Sequence, residues 1–438
     1  MERLTYMNPL ALSLNDALNR SNPIVLDMLS DLGKSMYYPK GILTQSAEAK
    51  SADYNATIGM ATTKDGKMYA SALYDMFNDM STDEVFSYAP PQGLEQLRLL
   101  WKQKMLKENP DLSEDQISTP VVTNALTHGL SLVGDMFVNE NDTLLLPNHN
   151  WGNYKLVFGV RHQANIETYP IFTNEGHYTT EGLVNKLEQV EQVDQEKVIL
   201  ILNYPNNPTG YTPTHSEVQN IVNAIDKLAQ RGVNVIAVVD DAYYGLFYED
   251  VYEQSIFTAL TQLQNERVLP IRLDGATKEF FAWGFRVGFM TFGLSDDETK
   301  SILEAKLKGL IRSNISSGAT PSQAAVQYVL ENNKTFDAQI QSNIETLRER
   351  YNITKEIVYR DEYQSLWQPY DFNSGYFMAL QVFGVDAETL RQYLLEKYSI
   401  GIISLNEQDI RIAFSCIVKD DIEHVFSKIA LAIEELQA

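Results

Sequence analysis

One lysine in this sequence stands where a surface charge does not belong. Residues 273–289 read LDGATKEFFAWGFRVGF: a β-rich run, Val268 to Leu273, delivers Lys278 into small and aromatic neighbours. Arg286 follows eight positions later, with Gly288 just beyond. Burial disfavours an ammonium and lowers its pKa. The neutral amine is the form that adds to a carbonyl carbon as a Schiff-base nucleophile. The competing reading is a lysine that snorkels from a strand end, its stem on apolar surface and its head in water.

Four further strings carry polar groups where a strand or a helix should begin or end. Asn203-Tyr204-Pro205-Asn206-Asn207-Pro208-Thr209-Gly210 is turn chemistry after an apolar run, and the carboxyl ends of strands line the ligand crevice of an open α/β sheet. Asp240 and Asp241 close the run ending at Val239 and precede Ala242, Tyr243 and Tyr244. A carboxylate there is costly unless a cation or hydrogen bonds meet it. Trp151 lies past another strand, in Pro147-Asn148-His149-Asn150-Trp151-Gly152-Asn153-Tyr154, as a core cap or a stacking platform. Thr123-Asn124-Ala125-Leu126-Thr127-His128 opens an apolar helical pattern, and the unpaired N–H groups of a helix start bind phosphate. Two arginines complete the set. Arg411 sits inside the apolar string Asp409-Ile410-Arg411-Ile412-Ala413-Phe414, where a buried guanidinium requires an anion. Arg312, in Leu310-Ile311-Arg312-Ser313-Asn314-Ile315-Ser316-Ser317, reads by itself as a solvent-facing charge at a helix end.

Taken in order from Ile58 to Phe414, these strings resemble the aspartate aminotransferase group, the fold-type-I enzymes that use pyridoxal phosphate (PLP). The resemblance implies that Lys278 holds PLP as a Schiff base. It implies that Asp240 partners the pyridinium nitrogen and that Tyr243 donates to the phenolic oxygen O3′. The family pattern Asp-x-Ala-Tyr selects Asp240 and leaves Asp241 a structural role. Asn207 would bond O3′ and Trp151 would lie against the ring. The amides of Ala125 and Leu126, with Thr127, Thr277 and Arg286, would hold the phosphate. Tyr88, in Tyr88-Ala89-Pro90-Pro91-Gln92-Gly93, resembles the tyrosine that reaches the phosphate of a neighbouring subunit. Arg411, helped by Asn207 and the amide of Gly59, would take the substrate α-carboxylate as a bidentate pair. Arg312 would reach across from the other subunit to a side-chain carboxylate. Two positions depart from the family: Ala125 stands where glycine is expected, and Gly275 where serine is common, so the phosphate would lose one hydroxyl.

Positioning such a site takes strands and helices in alternation. Strand-like runs occur at 143–146, 166–169, 198–203, 235–239 and 268–273, with helical patterns between several of them, such as 216–231. Strand alternating with helix argues for a parallel sheet covered on both faces. A further strand is expected at 286–292, and helices at 93–107, 126–138, 303–311 and 323–330. Near the start, 22–32 has helical spacing and 54–60 reads as extended. Beyond about 335 the character changes to a long charged helix (336–359), strands at 375–382, 400–404 and 410–414, and helices at 387–397 and 420–435. With the resemblance, this predicts an α/β fold. A large PLP-binding domain (70–330) with a mostly parallel seven-stranded sheet is joined by a smaller α+β domain from both chain ends (1–69 and 331–438).

Composition narrows the partners. Lys and Arg number 35 against 58 Asp and Glu, a net charge of −23, which repels nucleic acid and anionic membranes at long range. The one cysteine, Cys416, excludes an internal disulfide and suits a reducing compartment. No run of 18 apolar residues occurs. The expected protein is a cytoplasmic homodimer with shared active sites. It would be a PLP-dependent aminotransferase acting on an amino acid (aspartate, with aromatic donors as a second class) and a 2-oxo acid such as 2-oxoglutarate. A PLP-dependent lyase is the rival enzyme. A PLP-sensing regulator would need a basic DNA-binding module, which this acidic chain does not offer.

Overall fold

The runs Val198–Asn203 and Val235–Asp240 are apolar without alternation and are buried along their whole length. Only a strand covered on both faces accommodates that pattern. The computed structural model describes residues 7–39, 41–192, 196–263, 265–331 and 333–438. Among these, seven strands form one sheet: β1 (Val121–Asn124), β2 (Thr143–Pro147), β3 (Asn165–Tyr169), β4 (Lys197–Asn203), β5 (Asn234–Asp240), β6 (Val268–Gly275) and β7 (Val287–Phe292). Their spatial order is β1-β7-β6-β5-β4-β2-β3. All neighbours are parallel except β7, which runs antiparallel to β1 and β6. Register brings the functional ends level: Asn203 pairs with Asp240, and Asp240 with Leu273. Thus the carboxyl ends of β4, β5 and β6 open onto one crevice, and β6 ends three residues before Lys278.

A second sheet is antiparallel, in the order β8-β9-β11-β10, from β8 (Trp367–Pro369), β9 (Met378–Val382), β10 (Ile403–Ser404) and β11 (Asp409–Ile412). The early chain joins this unit. Tyr54 and Asn55 pair in parallel with Ile400 and Gly401, and the Ala413 amide donates to Ala56 at 2.9 Å. Arg411 therefore reaches the crevice from a strand fixed partly by residues more than 350 positions earlier.

Several expectations change at the edges. Of the run 54–60 only Tyr54 and Asn55 pair as strand, and Ile58–Met60 bends instead. The 22–32 pattern is broken at capped junctions into Pro23–Met28 and Asp31–Ser35, after an earlier helix Pro9–Ser21. The helix expected over 303–311 runs from Asp297 to Asn314, started by the Asp296 carboxylate accepting the Thr299 amide at 2.6 Å. The run 400–404 is two short strands, Ile400–Gly401 and Ile403–Ser404, which pair with different neighbours. Strands β1 and β8 have no counterpart in the expectation. Each is short, four and three residues, and exists through its partners rather than its own pattern. Among the described residues no helix is long and apolar enough to cross a membrane.

Behind the crevice, Trp101 is fully buried. It stacks on Phe289 with ring centroids 4.1 Å apart, and its indole N–H donates to Asp274 Oδ2 at 3.0 Å. It ties the helix Glu95–Glu108 to β6 and β7. Trp101→Ala should cost about 3–5 kcal/mol in chemical unfolding, and Trp101→Phe clearly less because a ring remains against Phe289. Equal losses would show that the stacking contributes nothing.

Candidate active site

The side chains around the crevice enclose a cavity of about 210 Å³. Lys278 faces it from the short helix Ala276–Glu279 that follows β6. Its amine lies 4.9 Å from the centre of the Tyr243 ring. Burial pulls its pKa down to about 8, against the Asp240 charge, which raises it, and with Arg286, which lowers it further.

Asp240 ends β5 with its side chain in the cavity, and Asp241 does not line it. The Tyr154 hydroxyl donates to Asp240 Oδ2 at 2.7 Å, and the Ala242 amide to Oδ1 at 3.1 Å. Burial raises the Asp240 carboxyl, while the Tyr154 bond and Lys278 oppose that shift. Asp241 turns the other way, its Oδ2 2.7 Å from Arg272 Nε. Arg272 also approaches Asp274 at 3.4 Å and lies over the Tyr244 ring. Adjacent acids on one strand thus serve opposite sides of the sheet end.

At the neighbouring end of β4, Asn203 joins the two loops. Its side-chain Oδ1 accepts the Asn207 backbone amide at 2.9 Å, and its side-chain NH₂ donates to the Asp240 backbone carbonyl, also at 2.9 Å. Gly210 closes the turn at φ 77°, with its α-carbon so near the Phe377 carbonyl that a side chain there would collide. Arg411 arrives from β11, 2% exposed. Its Nη1 donates to Asn207 Oδ1 at 3.0 Å and Nη2 to the Thr57 carbonyl at 2.7 Å. Its guanidinium covers the Phe377 ring at 4.2 Å. Arg411 Nε is buried without a hydrogen-bond partner among the described residues, so the fork keeps N–H groups for an anion.

The other end of the cavity suits a phosphate. The helix Ala125–Phe137 begins there, and the amides of its first turn have no carbonyl four residues back. His128 takes the Asn124 amide at 3.0 Å, which leaves Ala125, Leu126 and Thr127 facing the cavity. The Thr277 hydroxyl is buried without a partner among the described residues. Arg286 and Trp151 also line the cavity. A buried orphan hydroxyl, a helix start, a guanidinium, a depressed amine and a buried carboxylate fit PLP.

The two departures now have a physical setting. Ala125 adopts φ 61°, the left-handed region glycine favours, at a cost of about 1 kcal/mol for an L-residue. A β-carbon on Gly275 would lie 2.6 Å from the Val287 carbonyl oxygen and 2.7 Å from the Gly288 α-carbon. There is no space for a serine. Of the residues proposed from sequence, Lys278, Asp240, Tyr243, Ala125, Leu126, Thr127, Trp151, Asn207, Thr277, Arg286, Gly59 and Arg411 all line the cavity. Tyr88 and Arg312 do not. Tyr88 is 96% exposed and Arg312 is exposed near the end of the helix Asp297–Asn314. Tyr154, Asn203, Ile42 and Phe377 also line it and were not picked out from the sequence. Tyr154 had one signal, its place three residues after Trp151.

The fold and this donor set define a PLP enzyme of fold type I. The family model for aminotransferase class I and II matches residues 63–429, and the chain belongs to that family of PLP-dependent transaminases. A probable N-acetyl-LL-diaminopimelate aminotransferase of Bacillus subtilis is 22% identical over 345 residues, 76% of this chain and 78% of the relative. Among solved structures, an aminotransferase from Anaerococcus prevotii superposes with a TM-score of 0.82 at 20% identity, covering 92% of this chain and 98% of its own. The kynurenine aminotransferase of Pyrococcus horikoshii gives a TM-score of 0.78 at 18% identity, covering 95% and 99%.

Gly275→Ser, which would install the missing hydroxyl, should destabilise the protein by about 1–3 kcal/mol through overpacking and weaken PLP retention. Thermal melts and cofactor titration read both effects. A variant that is stable and holds PLP more tightly would mean that β6 and β7 separate easily here.

Proposed function

We propose that the chain transfers an amino group from an amino acid, aspartate first and aromatic donors second, to a 2-oxo acid such as 2-oxoglutarate, by a ping-pong cycle. The observation that carries this reading is the Lys278 amine, drawn down to about 8 and facing the same cavity as Asp240 and Arg411. When bound, PLP supplies an aldehyde carbon for an amine and an electron-withdrawing ring for the charge released at the substrate Cα. Lys278 holds the cofactor covalently. Its amine, drawn down to about 8 by burial, would be the base that holds the proton taken from the substrate Cα. Asp240, steadied by Tyr154, keeps a proton on the ring nitrogen. Tyr243 donates to O3′, and its hydroxyl stays protonated because burial raises it well above the usual tyrosine range. Asn207 turns its oxygen to Arg411 and has its NH₂ left for O3′. Trp151 supports the ring. The amides of Ala125 and Leu126, with Thr127, Thr277 and Arg286, hold the phosphate. Arg411 takes the α-carboxylate, with the Gly59 amide beside it.

The same reading makes the protein a homodimer with shared sites, in which Tyr88 and Arg312 serve the cavity of a second copy. Exposed large apolar residues support this: Tyr69, Tyr74, Phe86 and Tyr88, with Ile24 and Met28 of the early helices, are each more than 60% exposed. Large apolar side chains left open in this number are the kind that association covers. A lyase would use the same lysine and carboxylate, and would turn over without a 2-oxo acid. The relatives bear aminotransferase names.

Lys278→Ala should lose the borohydride-reducible link to PLP, with peptide mapping of the wild-type adduct to Lys278 as the check. An adduct on another lysine would remove the cofactor assignment. A bidentate arginine–carboxylate pair is worth about 1.5–3 kcal/mol, roughly ten- to a hundredfold in kcat/KM. Arg312→Leu should lose that factor for aspartate and 2-oxoglutarate and leave tyrosine almost unchanged, and mixing it with Lys278→Ala chains should regenerate some activity. Equal losses for both donor classes would mean that Arg312 reads no substrate carboxylate.

A further inference from the structure

His149 and Asp409 take no part in the proposed chemistry, yet each stands two residues before a residue that does: His149 before Trp151, Asp409 before Arg411. The first lies in the loop after β2 of the large sheet, and the second opens β11 of the small one. Their side chains meet, with His149 Nε2 3.4 Å from Asp409 Oδ2 and side chains only 9% and 6% exposed.

Both partners are held from behind. Asn148 Oδ1 accepts the amides of His149 and Ile171, at 3.0 and 3.3 Å. That oxygen is therefore an acceptor, and His149 Nδ1, 3.1 Å away, faces it as a donor. Nε2 then meets a carboxylate. Asp409 accepts the Tyr370 hydroxyl at 2.9 Å and the Asn406 side-chain NH₂ at 2.6 Å. The imidazole packs against Tyr370 and Phe172, with ring centroids 4.6 and 5.5 Å away. Residues two apart on a strand project from the same face, so Asp409 and Arg411 leave β11 on one side.

We propose that the His149–Asp409 pair is a positioning brace. It fixes the loop of Trp151 to the strand of Arg411, and so sets the distance between the ring platform and the carboxylate fork. It rests on the roles proposed above for Trp151 and Arg411. Losing the contact lets the fork drift from the platform, which weakens carboxylate binding while the proton transfer at Lys278 continues.

The experiment uses the holoenzyme. His149→Phe keeps a ring between Phe172 and Tyr370 and removes the contact with Asp409. Asp409→Ala removes it from the other side, and Asp409→Asn keeps an acceptor of the same shape. Affinity for hydrocinnamate and succinate, unreactive carboxylates, is read from cofactor absorbance, alongside KM, kcat and PLP content. His149→Phe and Asp409→Ala should each weaken carboxylate binding and raise KM for donor and 2-oxoglutarate about tenfold, the scale of removing one partner from a buried polar contact. kcat should move less than about threefold, with PLP retained. Asp409→Asn should keep most of the affinity, and the double variant should be no worse than either single one. Additive losses, or a fall in kcat and PLP content with carboxylate affinity unchanged, overturn the brace. Arg411→Leu separates the two ideas. A loss there with none in His149→Phe refutes the brace alone, whereas no loss there refutes the α-carboxylate reading and the brace with it.

Discussion

Three backbones converge where the helix Ala125–Phe137 meets the sheet beside the cavity, and much of the site depends on how closely they do so. Gly275 ends β6, Gly288 lies in β7, and Ala125 opens the helix from β1. A β-carbon on Gly288 would stand 2.8 Å from the Ala125 carbonyl carbon, and Gly275 is packed against Gly288 in turn. Side chains are excluded where the helix start meets the sheet, so its amides come level with Lys278. Strain is accepted in exchange. Ala125 and Arg286, on either side of the contact, both have positive φ. Residues held in that region persist only where their surroundings over-determine them, and such places cluster at functional sites.

Removal of water does the remaining work. The same burial that lowers the Lys278 amine raises the Asp240 carboxyl, so the two come closer in proton affinity than they would in water. The chain is strongly acidic overall, yet the cavity itself is lined by Lys278, Arg286 and Arg411. A distant negative field is screened within about 8–10 Å at ordinary salt, whereas the local cations act in a partly dry enclosure. An anionic ligand is therefore compatible with an acidic protein.

The α/β alternation was legible because buried parallel strands are continuous apolar runs, and because strand ends carry asparagine, aspartate or a turn. The family resemblance added the seven-stranded sheet. The strands that escaped notice, β1 and β8, are too short to show a period. The bond from Tyr154 to Asp240 joins residues 86 apart, and the Arg272 pair with Asp241 likewise depends on the register of β5 against β6. Sequence spacing carries no trace of such contacts. Asp240 and Asp241 were told apart by the resemblance, and the physical difference between them is the direction each side chain takes from the sheet end.

Arg411 is locked to Thr57, and Tyr54 is paired with Ile400. These contacts span more than 340 residues. Pairings so distant in sequence form late and slowly, since a long loop must close first. On the ribosome, the large sheet and the lysine can assemble well before the carboxylate fork, because β11 must emerge before it can be captured by residues made near the beginning. A nascent chain would thus form the wall of the cavity around Lys278 before Arg411 closes it from the second sheet. Protein arrested between these stages would carry the lysine in a half-built cavity that stands open on its Arg411 side.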